Sequence, residues 1–153
     1  MKNLVITGFM ASGKTSSGKL AAQILGRGFI DTDALIEART GKTIPQIFSE
    51  QGEAAFRALE TELCRELSAR DNLVIATGGG MLLNPANRDL LAANGQLVCL
   101  RLSLEETLRR LEDLPRADRP MLANGQSLAE RAAQLYQQRQ AAYDSIPWQI
   151  DCD

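Results

Sequence analysis

The chain has 153 residues and a formal net charge of −2, a length that suits a single domain with its own core. Without a run of Lys or Arg or an apolar stretch of about 18 residues, neither nucleic acid nor a membrane is an expected partner. The sequence has no histidine and no closely spaced cysteine pair, which excludes the common zinc sites and the Ser-His and Cys-His nucleophiles. Three scattered cysteines suit a reducing compartment, and we expect a cytoplasmic monomer that acts on a small molecule.

Short apolar runs alternate with helical patterns along the chain. We predict strands at residues 4–6, 29–30, 74–76, 97–102 and 148–151. We predict helices at residues 14–26, after Asp33 to about 40, in two pieces between 43 and 67, at 85–94, at 104–112, and from a Ser127 cap to about 145. Strands that are apolar throughout and alternate with helices indicate an α/β fold, with a parallel sheet covered on both faces.

The first strand runs into a complete phosphate-loop motif. Residues 8–15 match G-x-x-x-x-G-K-[ST] at every fixed position. Its glycines let the backbone wrap closely, so that N–H groups and the following helix N-terminus face phosphate oxygens. Lys14 supplies a charge for the outer phosphates, and the Thr15 hydroxyl is a ligand for Mg²⁺. The predicted phosphate-binding residues are Gly8, Ala11, Ser12, Gly13, Lys14, Thr15 and Ser16.

Other signatures of nucleotide-binding proteins are missing from the sequence. There is no Asn-Lys-x-Asp motif for guanine, which argues against a GTPase. The third predicted strand runs into Gly78, Gly79 and Gly80 instead of an Asp-Glu pair, which argues against a motor or remodelling ATPase. A small single-domain kinase is the simplest interpretation.

Two acidic residues follow the second strand, where ligands gather in a parallel sheet. One of Asp31 and Asp33 could approach Mg²⁺ or its waters, and the other could orient an acceptor hydroxyl or take its proton. The alternative for Asp33 is a helix N-cap, a role that Asp fills well. The triple glycine permits close approach by a ligand, or else is a flexible turn.

Three arginines are candidate anion-binding residues. Arg57 lies one helical turn from Glu53 and Glu60, which predicts either a solvated salt-bridge face or an arginine aimed at an anionic substrate. Arg139 lies on the same helix face as the apolar Leu135 and Tyr143, so its side chain either extends outward to solvent or reaches into a cleft. Arg119 lies in a polar, proline-bounded segment at about residues 113–122, which is a lid or a solvated loop.

Together these residues resemble the shikimate kinase family from about residue 4 to residue 151. The matching motifs are residues 8–15, 29–33, Gly52-Glu53 with Phe56-Arg57 and Glu60, residues 78–80, residues 118–122, and Arg139 with Tyr143. The resemblance implies ATP- and Mg²⁺-dependent phosphorylation of the 3-hydroxyl of shikimate, in aromatic amino-acid biosynthesis. It also implies a three-layer α/β/α P-loop kinase fold with a five-stranded parallel sheet of order 2-3-1-4-5. Residues 1–153 would form one domain, with a substrate-binding region at about 33–60 and a lid at about 113–122.

The resemblance also implies a role for each matching residue. Lys14, Asp33 and Arg119 would be catalytic, with Asp33 on the acceptor hydroxyl and Arg119 near the transferring phosphate. Asp31 would join Thr15 at the metal. Arg57 and Arg139 would bind the substrate carboxylate, and Glu60 would hold these arginines in place. The remaining substrate-binding positions would be Phe48, Phe56, Gly78, Gly79 and Gly80, with Ile44 lining the pocket.

Two departures from the family pattern are visible. Ala141 stands where the family usually has a proline, and we expect little effect from it. The family pattern also continues past the fifth strand into an adenine-contacting loop and a last helix, which residues 1–153 do not include. Two rival interpretations are a gluconate-type kinase of the same fold and a catalytically weak nucleotide-binding module.

Overall fold

The computed structural model describes residues 2–9, 12–113 and 127–152. Its centre is a parallel five-stranded sheet of order β2-β3-β1-β4-β5, as the family resemblance implied. The strands are β1 (Asn3–Gly8), β2 (Gly28–Asp31), β3 (Leu73–Ala76), β4 (Gly95–Arg101) and β5 (Trp148–Asp151). The predicted strands are all present, although most begin earlier than their apolar runs.

Helices connect the strands and cover both faces of the sheet. They are α1 (Lys14–Leu25), α2 (Thr32–Thr40), α3 (Ile44–Gln51), α4 (Glu53–Ser68), α5 (Pro85–Ala93), α6 (Leu104–Glu112) and α7 (Leu128–Asp144), with a 3-10 turn at Met81–Leu83. Side chains cap several N-termini, because the first N–H groups of a helix have no partner within it. The Ser127 hydroxyl accepts from the Glu130 N–H at 3.1 Å, as the sequence predicts.

The two sheet faces carry two separate apolar clusters, because successive side chains of a strand point to opposite faces. Val5, Ile75 and Cys99 contribute to the larger cluster, which includes buried residues of α3, α4, α5 and α7. Ile6 and Val74 contribute to the smaller cluster with Ala22 of α1. No helix among the described residues is long and apolar enough to cross a membrane.

Gly95 lies just beyond α5, where the chain enters β4. It is the first residue of β4 and pairs with Asn3 of β1. A Cβ at Gly95 would lie 2.6 Å from the Leu91 carbonyl oxygen. The glycine therefore lets α5 pass close to the start of β4, while Asn94 ends the helix.

The parallel arrangement brings the carboxyl ends of three adjacent strands to one edge. β1 ends at Gly8, β2 ends at Asp31, and β3 ends at Ala76. The phosphate loop, the acidic pair and the triple glycine follow these ends directly. Since ligands bind at this edge of an open α/β sheet, the topology places all three motifs at one candidate site.

Candidate active site

Gly8 and Gly13 of the phosphate loop are required for two different structural reasons. Gly13 has φ of 90°, a conformation that favours glycine, and it leads directly into α1. A Cβ at Gly8 would lie 2.6 Å from the Leu100 carbonyl oxygen of β4. The Ser12 N–H donates to the Phe9 carbonyl at 3.2 Å, which closes the turn. The predicted phosphate contact Ala11 lies outside the described residues.

Lys14 is folded back on its own loop. Its ammonium group donates to the carbonyl oxygens of Gly8 at 2.7 Å and Phe9 at 3.3 Å. Burial lowers the pKa of Lys14 to about 8, opposed by the negative charge of Asp33. The amine is therefore mostly protonated at pH 7. The loop carbonyls therefore hold the Lys14 ammonium group, which the anionic phosphates of a nucleotide can bind in their place.

Asp31 joins the end of β2 to the phosphate loop. Its Oδ2 accepts from the Thr15 hydroxyl at 2.8 Å, and its Oδ1 accepts from the Ala34 N–H at 3.1 Å. Asp31 is thus the N-cap of α2, and the capping alternative for Asp33 is wrong. Ser16 lies exposed in the first turn of α1.

Asp33 points toward the triple glycine. A Cβ on Gly78 would collide with Asp33 Oδ1. This oxygen is buried and has no hydrogen-bond partner among the described residues. Burial raises the pKa of the Asp33 carboxyl, as does the charge of Asp31, while Lys14 opposes the shift. Asp33 therefore carries an acceptor oxygen that is free to receive a ligand hydroxyl.

The other two glycines each face an arginine. A Cβ on Gly79 would lie 2.7 Å from Arg139 Nη1, and one on Gly80 would lie 2.8 Å from Arg57 Nη1. The three glycines therefore approach one carboxylate and two guanidinium groups. A side chain at any of these three positions would meet one of these charged groups, so glycine is needed here for close approach and not merely for a flexible turn.

Arg57 is held by an ion pair that is buried on one side. Its Nη1 lies 2.7 Å from Glu60 Oε1, and its Nη2 lies 3.3 Å from the exposed Glu53. Glu60 is only 1% exposed, so the alternative that Arg57 and Glu60 form a solvated salt bridge on the helix surface is wrong. Burial raises the pKa of Glu60, opposed by Arg57. The Arg57 guanidinium also lies over the Phe56 ring at 5.4 Å, and Phe48 meets Phe56 edge-to-face at 5.1 Å.

Arg139 is half-buried and reaches into the cleft. Its guanidinium carbon lies 5.8 Å from the centroid of the Phe9 ring, beside Gly79. One turn further along α7, the Tyr143 hydroxyl donates to the Gly79 carbonyl. Burial raises the pKa of Tyr143 to about 12, so this hydroxyl keeps its proton.

Sequence reasoning missed Phe9 and Tyr136 as members of the site. The Phe9 ring lies beside Arg139, and the Tyr136 ring packs against Phe9. The only sequence signal was the position of Phe9 inside the phosphate loop. The predicted lid arginine Arg119 and residues 114–122 of the predicted lid lie outside the described residues.

The sheet order, the phosphate loop after β1, and a carboxylate with two arginines at the ends of β2 and β3 define a P-loop small-molecule kinase. A family model described as shikimate kinase matches residues 10–152. A shikimate kinase from Pelotomaculum thermopropionicum is 46% identical over 151 residues, which are 99% of this chain and 86% of the relative. The structure of a shikimate kinase from Acinetobacter baumannii in complex with shikimate superposes with a TM-score of 0.90 at 36% identity, covering 100% of this chain and 84% of the other. The chain belongs to the shikimate kinase family.

The gluconate-type alternative receives support for its fold alone. A gluconokinase from Sinorhizobium meliloti superposes with a TM-score of 0.58 at 19% identity, covering 99% of this chain and 82% of the other. The identity to the shikimate kinases is far higher, so the family assignment does not rest on fold similarity alone.

Proposed function

We propose that this chain transfers the terminal phosphoryl group of ATP to the 3-hydroxyl of shikimate, which yields shikimate 3-phosphate for aromatic amino-acid biosynthesis. Family membership supports the reaction and its use of ATP. The observation that carries the proposal is the convergence of Asp33, Arg139 and Arg57 on Gly78, Gly79 and Gly80. These groups suit a substrate that has both a carboxylate and hydroxyl groups.

The donor half of the site binds the phosphates of ATP. Backbone N–H groups of the loop and the N-terminus of α1 face the anionic oxygens. Lys14 exchanges the carbonyls of Gly8 and Phe9 for phosphate oxygens, which satisfy its charge far better. By the family resemblance, Arg119 would lie near the transferring phosphate.

Thr15 and Asp31 fit a magnesium ion. Their hydroxyl and carboxylate oxygens lie 2.8 Å apart, and both are hard oxygen donors that Mg²⁺ prefers. The described residues contain no group of three or more acidic or cysteine side chains that could hold a metal. This suits an ion that takes most of its ligands from phosphates and water. When bound, Mg²⁺ neutralises developing charge on the phosphates.

The acceptor half binds the substrate carboxylate between two arginines. Arg139 has no ion-pair partner among the described residues, and Arg57 shares its charge with Glu60 and Glu53. Guanidinium groups bind carboxylates through paired hydrogen bonds, which fix orientation as well as affinity. The Phe48 and Phe56 rings supply an apolar wall for the carbon ring of the substrate.

Asp33 receives the acceptor hydroxyl. Its buried, unpartnered Oδ1 can accept the hydroxyl hydrogen bond and orient the oxygen toward the phosphate that Lys14 holds. Phosphoryl transfer passes through a loose transition state, so positioning supplies most of the acceleration. The raised pKa of Asp33 also makes it a better proton acceptor than an ordinary carboxylate. Cys64 and Cys99 are buried and form no disulfide, which suits a reducing compartment, so the protein is proposed to work in the cytoplasm.

Release of ADP tests the proposal. We expect release with Mg²⁺-ATP to require shikimate and not to occur with gluconate as the acceptor. Asp33→Asn should remove it, and Asp89→Asn on the exposed surface of α5 provides the matched control with full activity. ADP release with gluconate but not with shikimate would overturn shikimate as the substrate. Full activity of Asp33→Asn would overturn the assignment of Asp33 to the acceptor site.

A further inference from the structure

Phe9 lies between the two halves of the site. It follows the last residue of β1 and is only 3% exposed. Its ring meets Tyr136 edge-to-face, with centroids 5.4 Å apart and an interplanar angle of 85°. The same ring lies 5.8 Å from the guanidinium carbon of Arg139. Two residues of α7 therefore pack against a single side chain of the phosphate loop.

The backbone of Phe9 contacts the donor half. Its carbonyl oxygen accepts from the Lys14 ammonium at 3.3 Å and from the Ser12 N–H at 3.2 Å. The Tyr136 hydroxyl donates to the Leu102 carbonyl at 3.0 Å, which fixes the ring that packs on Phe9. One residue thus contacts the phosphate-binding lysine through its backbone and a substrate-side arginine through its ring.

The contact with Arg139 is electrostatic as well as apolar. An aromatic face carries partial negative charge that attracts a cation within about 6 Å, and the attraction grows when the cation is desolvated. Arg139 is half-buried and forms no ion pair with a described residue, so the ring offers its positive charge a favourable neighbour. Lys14 and Arg139 repel each other, since Arg139 adds to the lowering of the Lys14 pKa that burial dominates.

We propose that Phe9 is a positioning residue that couples the nucleotide half of the site to the substrate half. Its ring holds the Arg139 guanidinium in the orientation that binds the substrate carboxylate. Its carbonyl holds Lys14 until phosphates replace it, and the loop adjustment that follows is transmitted to Arg139 through the ring. Because coupling of binding free energies is reciprocal, ADP and shikimate change each other's affinity by the same factor. The inference rests on the proposed function.

Fluorinated phenylalanines at position 9 test this coupling with little change of shape. Each added fluorine withdraws charge from the ring face and weakens its attraction for a cation. Shikimate affinity is measured by calorimetry on the full chain, with and without Mg²⁺-ADP. We expect the dissociation constant to rise stepwise along the mono-, di- and trifluoro series, by about three- to tenfold in total. The ratio of the constants measured without and with ADP should move toward one.

Two controls separate this effect from a general loss of structure. The same fluorinated residues at Phe29, which packs beside the smaller cluster on the other sheet face, should leave both quantities unchanged. Phe9→Leu keeps an apolar side chain without a ring, and it should match the trifluoro variant in shikimate affinity. If the protein binds shikimate but its dissociation constant stays the same along the fluorinated series at position 9, the inference is overturned and the proposed function is left intact. Wild-type protein that does not bind shikimate would overturn the proposed function itself.

Discussion

Arg57 and Glu60 form an ion pair of 2.7 Å in which the carboxylate is almost fully buried and the guanidinium is one-third exposed. The second oxygen of Glu60 has no hydrogen-bond partner among the described residues. A buried charge without full compensation is retained at a cost in stability, which is typical of a functional site. The pair therefore positions Arg57 beside Gly80 while leaving part of the guanidinium open to the cleft.

Glu60→Gln tests this positioning role. The amide keeps the shape but removes the charge that holds Arg57, so we expect the KM for shikimate to rise about tenfold with a smaller change in kcat. The free energy of unfolding should not fall, because burial raises the pKa of Glu60 and the amide removes a buried charge, while the partly exposed Arg57 remains solvated. Steady-state kinetics and urea unfolding measure the two effects. Glu53→Gln, at an exposed residue 3.3 Å from Arg57, is the control and should change KM less than threefold; an equal effect of the two variants would refute the distinction.

Gly79→Ala should impair substrate binding with little loss of stability. The new Cβ would lie 2.7 Å from Arg139 Nη1, and only the end of a flexible side chain must move to admit it. We expect the shikimate KM to rise about tenfold or more, because the guanidinium loses its orientation. Thermal unfolding should change by only a few degrees.

Gly41→Ala should do the opposite of Gly79→Ala: it should lower stability and leave substrate binding unchanged. Gly41 caps α2 with φ of 67°, and no atom lies within 4 Å of its Cβ position. The substitution should cost about 1 kcal/mol of stability through backbone strain while the shikimate KM stays unchanged. If Gly79→Ala lowered stability more than Gly41→Ala and left KM unchanged, the close approach at Gly79 would have no functional role.

Asp33→Asn should stabilise the fold while it removes activity. Burial raises the pKa of Asp33, so the folded state binds a proton more tightly than the unfolded state does. The ionised carboxylate therefore costs stability as pH rises past its ordinary value, and that cost is absent at low pH, where the group is protonated in both states. We expect Asp33→Asn to unfold at a higher temperature than wild type at pH 7 and to lose this advantage as pH falls toward 4. A melting temperature of Asp33→Asn below that of wild type at pH 7 would contradict the inference that the buried Asp33 carboxylate costs stability.

The affinity for ADP should fall above about pH 8. Burial lowers the pKa of Lys14 in the free protein to about 8, so the amine loses its proton above that value and no longer attracts phosphates. Calorimetric titrations of Mg²⁺-ADP between pH 7 and pH 9.5 measure the decline. Lys14→Met should bind ADP more weakly at pH 7 and lose most of the pH dependence. A variant that retains the full decline would show that another group titrates.

Motifs that are contiguous in sequence were predictable, because local spacing alone defines them. Residues 8–15 gave the phosphate loop, and the spacing of apolar runs gave the strands and helices of a parallel sheet. The sheet order came from the family resemblance, because apolar strands pair equally well in several orders. The contact of Phe9 with Arg139 joins residues 130 positions apart, and no local pattern encodes it.

The roles of the two aspartates also needed tertiary information. Both Asp31 and Asp33 suit an N-cap by residue type, and the sequence analysis left that role open for Asp33 alone. The structure gives the cap to Asp31, because β2 extends to that residue and its side chain already faces Thr15. Helix α2 therefore begins one residue before Asp33, and the Asp33 side chain is left to point at Gly78.

The most direct test of the central claim is the identity of the product. The full chain, shikimate and Mg²⁺-ATP are incubated, and the phosphorylated product is examined by ³¹P–¹H correlation NMR. We predict one new phosphomonoester whose phosphorus couples to the proton on C3 of the shikimate ring, and none with Asp33→Asn. A phosphate on another hydroxyl, or ADP release without any phosphorylated shikimate, would contradict the account.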